Sequence, residues 1–534
     1  MNAPTTLYLC PDILTATGHP GDRPTALLTH GPTITWTGHH RHAPRADRVI
    51  DLDGALLTPA FVDAHAHLTP TGAAVLGPDL GTARTLEQLL DLVRTAAATT
   101  PTGPVTAHGW DPALLAEHRP PTRTEIDHAT GHRPTYLSRT DYHSAVISTA
   151  LAHDSGAPHL DGWHPDGLVR RDAHHAALAT LRTRTTTTQR HRRHRAALHA
   201  AARAGIATLH EMSTPHLTDE QDLAELAALA AGPPDPNGPH EPALPEVICY
   251  RAELVDTPRR AGQVLDRLRR AGIRPVGLAG DLCVDGSFGS RTAALTQDYT
   301  DAPGERGHLY LTAAQIRDHV TACTLTGLQA GFHTIGDRAL HTALDGFEQA
   351  ARTLGLQALR AAAHRLEHAE ALTPATIARL AHLNLTVCAQ PAFDATWGGP
   401  DGLYATRLGP SRAATLNPLR ALADAGINLC LGSDSPVTPL SGWAALRACV
   451  HHHRPEHRLD AHRALRAHTV NAHRAARRTA GTLTPGAPAT LAVWETDDGT
   501  NDLPDLLEQT RADPRCLLTV RHGHVLHEQL PSTT

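Results

Sequence analysis

The chain has 534 residues, of which 41% are hydrophobic and 19% are charged, and its formal net charge is -6. This length predicts several domains of roughly 100 to 200 residues each, and the weak negative charge argues against a general affinity for nucleic-acid phosphates. All 48 basic residues are arginine, and the absence of lysine excludes Schiff-base lysines, a Walker-type phosphate lysine and a carboxylated lysine that bridges two metals.

The two ends of the chain, residues 1–58 and 480–534, are predicted to form one small β-sandwich. Both contain short β-type runs, such as TITWTG and ATLAVWE, that are separated by turn residues and show no helical periodicity. The N-terminus has no basic segment followed by an apolar core, and the sequence has no run of about eighteen apolar residues. We therefore expect a cytoplasmic protein that neither crosses nor binds a membrane.

Eight short β-type runs alternate with helical stretches elsewhere, which is the pattern of a closed α/β barrel, the (β/α)8 or TIM barrel. We assign the barrel to residues 59–68 plus 201–479 and assign residues 69–200 to an inserted α/β cap subdomain. Such an insertion lies over the face where the loops after the strands gather. The predicted strands cover 61–68, 206–213, 246–254, 276–286, 328–336, 364–370, 385–392 and 428–436.

Side chains that commonly bind metals occur near the carboxyl ends of several predicted strands. His65 and His67 are two residues apart on the first strand, so both rings project to the same side and can chelate one divalent metal. His333, His368 and Asp434 lie near the ends of later strands. Because a barrel brings these ends together, the five side chains are predicted to converge. The alternative is that each is a hydrogen-bonded core or rim residue.

With these residues in place, the chain resembles the amidohydrolase superfamily, specifically its YtcJ-like, amidohydrolase-3 branch, which includes N-substituted formamide deformylases. The resemblance implies a metal-dependent hydrolase with a (β/α)8 barrel and a small composite β-sandwich. The motifs that carry it are LTPAFVDAHAHL, HGWD at 108–111, DGSFGSRTAAL at 285–295, HTIGDRA at 333–339, RLEHAE at 365–370, LGSDSPV at 431–437 and the closing HTVNAHRA and GTLTPGAPATLAVWE.

By position, the resemblance implies that His65, His67, His333 and His368 are metal ligands. Asp434 would be the remaining ligand and also the general base, and we count His368 with it as a catalytic residue. Imidazole and carboxylate suit zinc, which can acidify a water that attacks a carbonyl carbon.

One position departs from the family pattern. Members of this branch commonly carry a lysine four residues before the DGS motif, and here that residue is Asp281. Because the aspartate side chain is several bonds shorter, we expect it not to reach the place of a carboxylated lysine. One zinc ion is therefore favoured, bound by His65, His67 and Asp434, with His333 or His368 nearby. Two ions are the alternative if Asp281 or Cys283 replaces the bridging lysine.

Three residues in segments that resemble pocket-lining motifs are predicted to contact substrate: Trp110, His143 and Arg291. Arg291 could hold a carboxylate or carbonyl oxygen through its planar guanidinium. The alternatives are that Trp110 is a packing residue and that Arg291 forms a structural ion pair. The basic run 182–195 is interpreted as a solvated helix face, with anion binding as its alternative.

We predict a hydrolase that cleaves the C–N bond of a small-molecule amide or formamide, with Asp434 passing a proton to the leaving nitrogen. The alternatives are a non-hydrolytic enzyme of the same fold and a metal-free binding or scaffold protein.

Chance alone would supply many lysines in a chain of this length. We hypothesise that an amine-reactive, aldehyde-like compound of specialised metabolism has selected against them; escape from lysine-directed degradation is the alternative. The sequence leaves the oligomeric state open, a homodimer included.

Overall fold

The computed structural model describes residues 3–17, 23–100, 102–232, 242–496 and 503–530. Within these ranges, eight parallel strands form one sheet that nearly closes into a barrel, and each coincides with a predicted run, so the (β/α)8 prediction is confirmed. The strands are Phe61–Ala66, Ile206–Ser213, Glu246–Arg251, Gly277–Leu278, Gln329–Thr334, Arg365–His368, Thr386–Ala389 and Leu429–Leu431.

The barrel closes at a seam between its first and eighth strands. The amide of Asp434 donates to the carbonyl of His65 at 2.8 Å, and the amide of His67 donates to the carbonyl of Ser435 at 2.9 Å. Gly432 permits this approach, because a Cβ placed there would lie 2.6 Å from the Cβ of His65, well inside van der Waals contact. Backbone bonds alone therefore fix His65, His67 and Asp434 relative to one another.

Helices follow the second to eighth strands and bury their apolar faces against the outside of the barrel. Their caps are local, as at Thr312, whose side chain and that of Gln315 form a capping box. The helices are Glu220–Ala231, Pro258–Arg270, Ala313–Leu325, Asp337–Leu354, Leu356–Ala361, Pro374–Leu383, Pro391–Trp397, Leu403–Leu408, Pro410–Ala413, Leu419–Asp424, Gly442–Val450, Ala461–Ala467 and Val470–Ala475, with a 3-10 turn at Pro455–His457.

The segment between the first and second barrel strands has a four-stranded sheet of its own, in the order Val105–Trp110, Thr135–Arg139, Ser144–Ile147 and Leu168–Arg170 read from one edge. Two small apolar clusters pack against this sheet. Its helices are Leu68–Leu76, Leu86–Thr99, Arg123–Thr130, Thr149–Ser155, Arg171–Thr183 and Thr187–Arg203, with 3-10 turns at Leu80–Thr82, Pro112–Leu114 and Ala157–His159.

Strands from both chain ends form two further sheets that share one apolar core. The four-stranded sheet contains Thr33–Gly38, Ala26–His30, Thr5–Leu9 and Arg48–Asp51, and a 3-10 turn lies at His40–His42. The five-stranded sheet contains Asp12–Ile13, Ala55–Pro59, Leu491–Glu495, Arg515–Arg521 and His524–Glu528, and a short helix lies at Leu503–Leu506. Because Leu491–Glu495 pairs antiparallel with Ala55–Pro59, the two chain ends are joined in one sheet. The exact domain boundaries stay a prediction.

Candidate metal centre and substrate cavity

Two histidines and two carboxylates meet at the seam end of the barrel. Nε2 of His67 lies 3.0 Å from Oδ2 of Asp281 and 3.2 Å from Oδ1 of Asp434. Nε2 of His65 lies 3.3 Å from the same oxygen of Asp434 and 3.5 Å from Oδ1 of Asp281. Because His65 and His67 both aim Nε2 at both carboxylates, the four side chains enclose a single small space.

The fifth and sixth strands add two more imidazoles to this space. The ring centre of His368 lies 5.0 Å from that of His65 and 4.4 Å from that of His333. Nδ1 of His333 lies 3.7 Å from Oδ1 of Asp281. The structure thus brings together all five side chains that the sequence analysis placed at a metal, and Asp281 with them.

Several of the atoms that face this space are buried without a hydrogen-bond partner among the described residues: Nε2 of His65 and His368, Nδ1 of His333 and Oδ1 of Asp281. Two sets of three residues, His65 with His67 and Asp434 and His65 with Asp281 and His368, have donor atoms that all lie within 4.8 Å of one another. Buried polar atoms normally find partners, and these nitrogen and carboxylate donors are those that zinc prefers. The donor set therefore fits a divalent metal ion.

The opposite ring nitrogens are held by acceptors that fix each imidazole. Nδ1 of His65 donates to Oε2 of Glu367 at 2.9 Å, and Nδ1 of His368 donates to Oε1 of Gln390 at 2.8 Å. Nε2 of His333 donates to the carbonyl of Gly286 at 3.3 Å. Each of these bonds leaves the lone pair of the other nitrogen directed at the shared space, as metal-binding histidines require.

The backbone is strained at two of these residues. His368 has φ = 65° and Asp434 has φ = 54°, the left-handed region that side chains other than glycine enter at a cost. Such strain is common where surrounding structure holds a functional group in place. Here one of the two residues ends the sixth strand and the other follows the eighth strand.

Our expectation that Asp281 is too short to reach the centre is wrong. The fourth strand, predicted over 276–286, is continuous only over Gly277–Leu278. The chain bends at Gly280, which has φ = 92°, and pairing with the fifth strand resumes beyond it at a bridge between Cys283 and His333. Asp281 lies within this interruption, and its two oxygens face His65, His67 and His333.

Cys283, which we considered as a substitute ligand, forms a parallel bridge with His333 of the fifth strand. Its thiol donates to the carbonyl of Asp281 at 3.5 Å, and burial and the neighbouring carboxylates raise its pKa well above the ordinary value. It lines the cavity above the centre. It belongs to neither of the donor sets that include Asp281 or Asp434.

The electrostatics of the centre favour bound positive charge. Burial opposes protonation of His65, but the carboxylates of Asp281 and Asp434 raise its pKa to about 10. In turn, His65 and His67 hold the pKa of the buried Asp434 carboxyl below its ordinary value. His368 has a pKa lowered to about 3 by burial and by His333. The buried carboxylate of Asp434 and the largely buried carboxylate of Asp281 would attract a divalent cation as they attract these protons.

Two residues that orient the candidate ligands were not predicted from the sequence. Glu367, which lies within RLEHAE, is fully buried and is held by Nη2 of Arg365 at 2.9 Å. Arg365 is also fully buried and lies over the ring of Tyr250 at 4.8 Å. The available signal was an R-x-E pair inside an apolar strand, since charges on a buried strand are rarely tolerated unless paired.

His143, one of three predicted substrate contacts, lies at the centre. Its ring is 5.1 Å from that of His333, and burial together with His333 lowers its pKa to about 4. The neighbouring Asp141 accepts hydrogen bonds from the hydroxyls of Ser287 and Ser290 at 2.7 Å each. These bonds tie the inserted segment to the DGSFGS loop of the barrel.

The other two predicted contacts have the structural roles that we named as alternatives. Trp110 packs in the apolar core of the insertion, and its Nε1 donates to the carbonyl of Leu137 at 2.8 Å. Arg291 makes a two-pronged pair with Asp301, at 3.1 and 2.6 Å. Neither lines the cavities around the centre.

An aromatic wall flanks the centre on the side of the seventh strand. Phe288, Phe393, Trp397 and Tyr404 line a pocket that also contains His333 and Asp434. Within it, Oε2 of Glu370 accepts hydrogen bonds from Tyr404 at 2.6 Å and Asn417 at 3.2 Å, yet burial raises the pKa of Glu370 to about 7. This side of the cavity suits an apolar or aromatic group.

A sequence profile described as the amidohydrolase family matches residues 48–527. The chain is similar to the putative amidohydrolase YtcJ of Bacillus subtilis, with 24% identity over 80% of this chain and 80% of that protein. It is also similar to the N-substituted formamide deformylase of Arthrobacter pascens, with 24% identity over 88% of this chain and 90% of that protein.

Among solved structures, an uncharacterized metal-dependent hydrolase from Pyrococcus horikoshii superposes with a TM-score of 0.72, over 98% of this chain and 100% of that one, at 23% identity. This likeness supports the same fold. Within the described ranges, we find no helix long and apolar enough to cross a lipid bilayer.

Proposed function

The chain belongs to the amidohydrolase family and is a metal-dependent hydrolase of that family; from this premise we propose that it cleaves the C–N bond of a small-molecule amide or formamide. The observation that carries the proposal is the group of buried lone pairs of His65, His333 and His368 beside the carboxylates of Asp281 and Asp434. The relative named N-substituted formamide deformylase supports the choice of bond.

We propose zinc as the metal. His65, His67 and Asp434 would hold it, with Asp281, His333 and His368 as further ligands. Asp281 faces both the pair His65 and His67 and the separate His333. The arrangement therefore fits either one ion or two. When bound, zinc would polarise a carbonyl and lower the pKa of water.

The chain's own residues then supply positioning and proton transfer. Asp434, at the end of the eighth strand, would accept a proton from the attacking water on its carboxylate and donate it to the leaving nitrogen. Glu367 fixes His65 through its Nδ1–H, and Gln390 fixes His368 in the same way. The aromatic wall would hold an apolar part of the substrate and exclude bulk water from the reacting bond.

The binding-protein alternative is less favourable on energetic grounds. Without a ligand ion, several buried donor atoms stay unsatisfied, at a cost of about 1–3 kcal/mol for each group. We also propose that the enzyme acts in specialised metabolism near an amine-reactive compound, because the chain has no lysine. Four points stay predictions: a small-molecule substrate, no binding of nucleic acid or membrane, a cytoplasmic location, and a homodimer as one of the open oligomeric states.

To test this proposal, the zinc-loaded protein is incubated in 18O-labelled water with N-substituted formamides and with the matching acetamides. We expect release of the amine, with one labelled oxygen in the carboxylic acid, and loss of activity after treatment with a chelator. Unchanged turnover in the chelator-treated protein, or a product that carries no label, would rule out metal-dependent hydrolysis. The Asp401→Asn protein, changed at an exposed position, serves as the control for preparation.

A further inference from the structure

We propose that the guanidinium of Arg193 binds a carboxylate of the substrate, in a chamber between the inserted segment and the barrel. The natural substrate would then be an amide with an anionic group at one end and its scissile bond at the metal centre. This inference rests on the proposed function, because it names the substrate class of that site.

The chamber shares no lining residue with the pocket of the aromatic wall. Counted together with the open solvent at its mouth, it contains about 720 Å³ of empty space. It is lined by the start of the first inserted helix, the inserted sheet and the loop after the second strand, including Thr69, Thr106, Tyr142, Arg193, His216 and Leu217.

The chamber adjoins the cavity above the metal centre. Pro70, Tyr142, Leu178, His216 and Leu217 line both spaces. The cavity above the centre in turn contains His67, Asp281 and Asp434. A substrate that reaches from the metal centre into the chamber would therefore pass between these five shared side chains.

Arg193 differs from the other arginines of the chamber in having no protein partner. Arg190 makes a two-pronged pair with Glu225, both contacts at 2.9 Å, and Arg182 lies 3.5 Å from Asp219. Among the residues that the structure describes, no ion pair or hydrogen bond engages the guanidinium of Arg193.

One acid of the chamber, Asp222, acts on Arg193 electrostatically, but no ion pair joins the two side chains. Oδ1 of Asp222 is bound by Nε2 of His194 at 2.7 Å, and its Oδ2 has no hydrogen-bond partner among the described residues. Burial lowers the pKa of Arg193, and the negative charge of Asp222 acts in the opposite direction. A partly desolvated cation without a partner is costly, and a ligand anion would remove that cost.

The position of Arg193 is fixed by backbone packing. The helices Leu68–Leu76 and Thr187–Arg203 touch at Gly72, where a Cβ would lie 1.9 Å from the carbonyl oxygen of Arg193. Only glycine allows this contact. The guanidinium is therefore presented from a rigid site, which favours specific recognition.

A carboxylate fits this site better than a phosphate does. The planar guanidinium matches a carboxylate with two parallel hydrogen bonds. Arg193 is the unpaired cation there, while Asp222 contributes negative charge to the same chamber. A dianion would therefore meet repulsion that a single carboxylate largely avoids.

The arginine-rich run that we interpreted as a solvated helix face is thus divided. Arg192 is exposed, as that interpretation expects, whereas its neighbour Arg193 is only partly exposed and lines the chamber. This pair provides a matched test, because both residues lie on one helix and differ in the direction of the side chain.

The probes are methyl ketones in which a ketone replaces the amide, so that binding does not depend on hydrolysis: levulinate and its longer homologues, each paired with its neutral carboxamide. Calorimetry on the zinc-loaded protein should show that at least one carboxylate binds about 10- to 100-fold more tightly than its carboxamide. Arg193→Gln should abolish this preference, Arg193→Lys should retain part of it, and Arg192→Gln should leave it unchanged.

Equal binding of carboxylate and carboxamide at every length, or no binding of either, would overturn the proposal. So would a preference that survives in a folded Arg193→Gln protein, or that is lost equally in Arg192→Gln. If the preference depends on Arg193 but no amide is hydrolysed, the proposed function fails and the anion site stands. Inorganic phosphate that competes as well as carboxylate at equal concentration would contradict the assignment to a carboxylate.

Discussion

At the mouth of the barrel, Asp434 is the carboxylate best placed to move a proton. It follows the eighth strand, its Oδ1 lies within 3.3 Å of Nε2 of His65, and it lines both the aromatic pocket and the cavity above the centre. Its strained backbone, with φ = 54°, keeps the carboxylate directed at the other ligands.

Asp434→Asn should lower kcat by about 10²- to 10⁴-fold, the usual contribution of a general base, and leave the far-ultraviolet circular dichroism unchanged. The exposed Asp401→Asn should retain full activity. Steady-state kinetics on the two variants provides the comparison, and substantial turnover by a metal-loaded Asp434→Asn protein would require another base.

Glu370 predicts a dependence of stability on pH. Burial raises its pKa from 4.5 to about 7, so the folded state keeps a proton that the unfolded state has lost. Raising the pH from 4.5 to about 7 should therefore reduce stability, on the order of 2–3 kcal/mol from this group.

Glu370→Gln keeps an acceptor for Tyr404 and Asn417 and removes the titration. The free energy of unfolding of this variant, measured by urea denaturation across that pH range, should fall less with rising pH than that of the wild type. Parallel curves for the two proteins would show that Glu370 is already ionised in the folded state.

At the scale of the strands, the seam between the first and eighth strands holds the ligands in register. A methyl group at position 432 would overlap His65. Gly432→Ala should therefore lower the free energy of unfolding by on the order of 1–3 kcal/mol and weaken metal binding. The control is Gly262, in the helix Pro258–Arg270, where an added Cβ would have no atom within 4 Å; Gly262→Ala should raise the free energy of unfolding by about 0.5–1 kcal/mol. Thermal unfolding and zinc titration measure both effects, and equal behaviour of the two variants would contradict this role of the seam.

The sequence was sufficient to predict the strands and the convergence of the five candidate ligands because both follow from local patterns. Apolar runs mark buried parallel strands, and their carboxyl ends meet in any barrel. The position of Asp281 was not predictable in this way, since it depends on where the backbone leaves the fourth strand. Trp110 and Arg291 were ambiguous because the partners of their side chains, Leu137 and Asp301, are distant in sequence or set by the fold, and local patterns do not identify them.

At the scale of the whole molecule, the barrel supplies the metal centre and the insertion supplies much of the wall around it. His143 and Asp141 come from the insertion, and Asp141 is tied to the barrel loop by Ser287 and Ser290. We therefore expect both layers of the fold to contribute to substrate selection, whereas the candidate metal ligands come from the barrel.

The absence of lysine is also a property of the whole chain. After exposure to an aliphatic aldehyde and a mild reductant, intact-mass spectrometry should show few adducts on this protein and more on a variant with lysine at the exposed positions Arg41, Arg192 and Arg259, since ε-amines form Schiff bases. Only the lysine variant should lose activity on prolonged exposure. Equal adduct formation and equal loss of activity would remove the proposed chemical advantage.

The central claim is that the imidazoles and carboxylates at the barrel mouth hold a divalent metal. The most direct test is anomalous diffraction from zinc-loaded crystals, recorded on both sides of the zinc absorption edge. The account predicts one or two strong anomalous peaks among His65, His67, Asp281, His333, His368 and Asp434, at ligand distances of about 2.0–2.2 Å. A fully zinc-saturated protein whose anomalous peaks all lie elsewhere, with these side chains bonded only to one another, would contradict it.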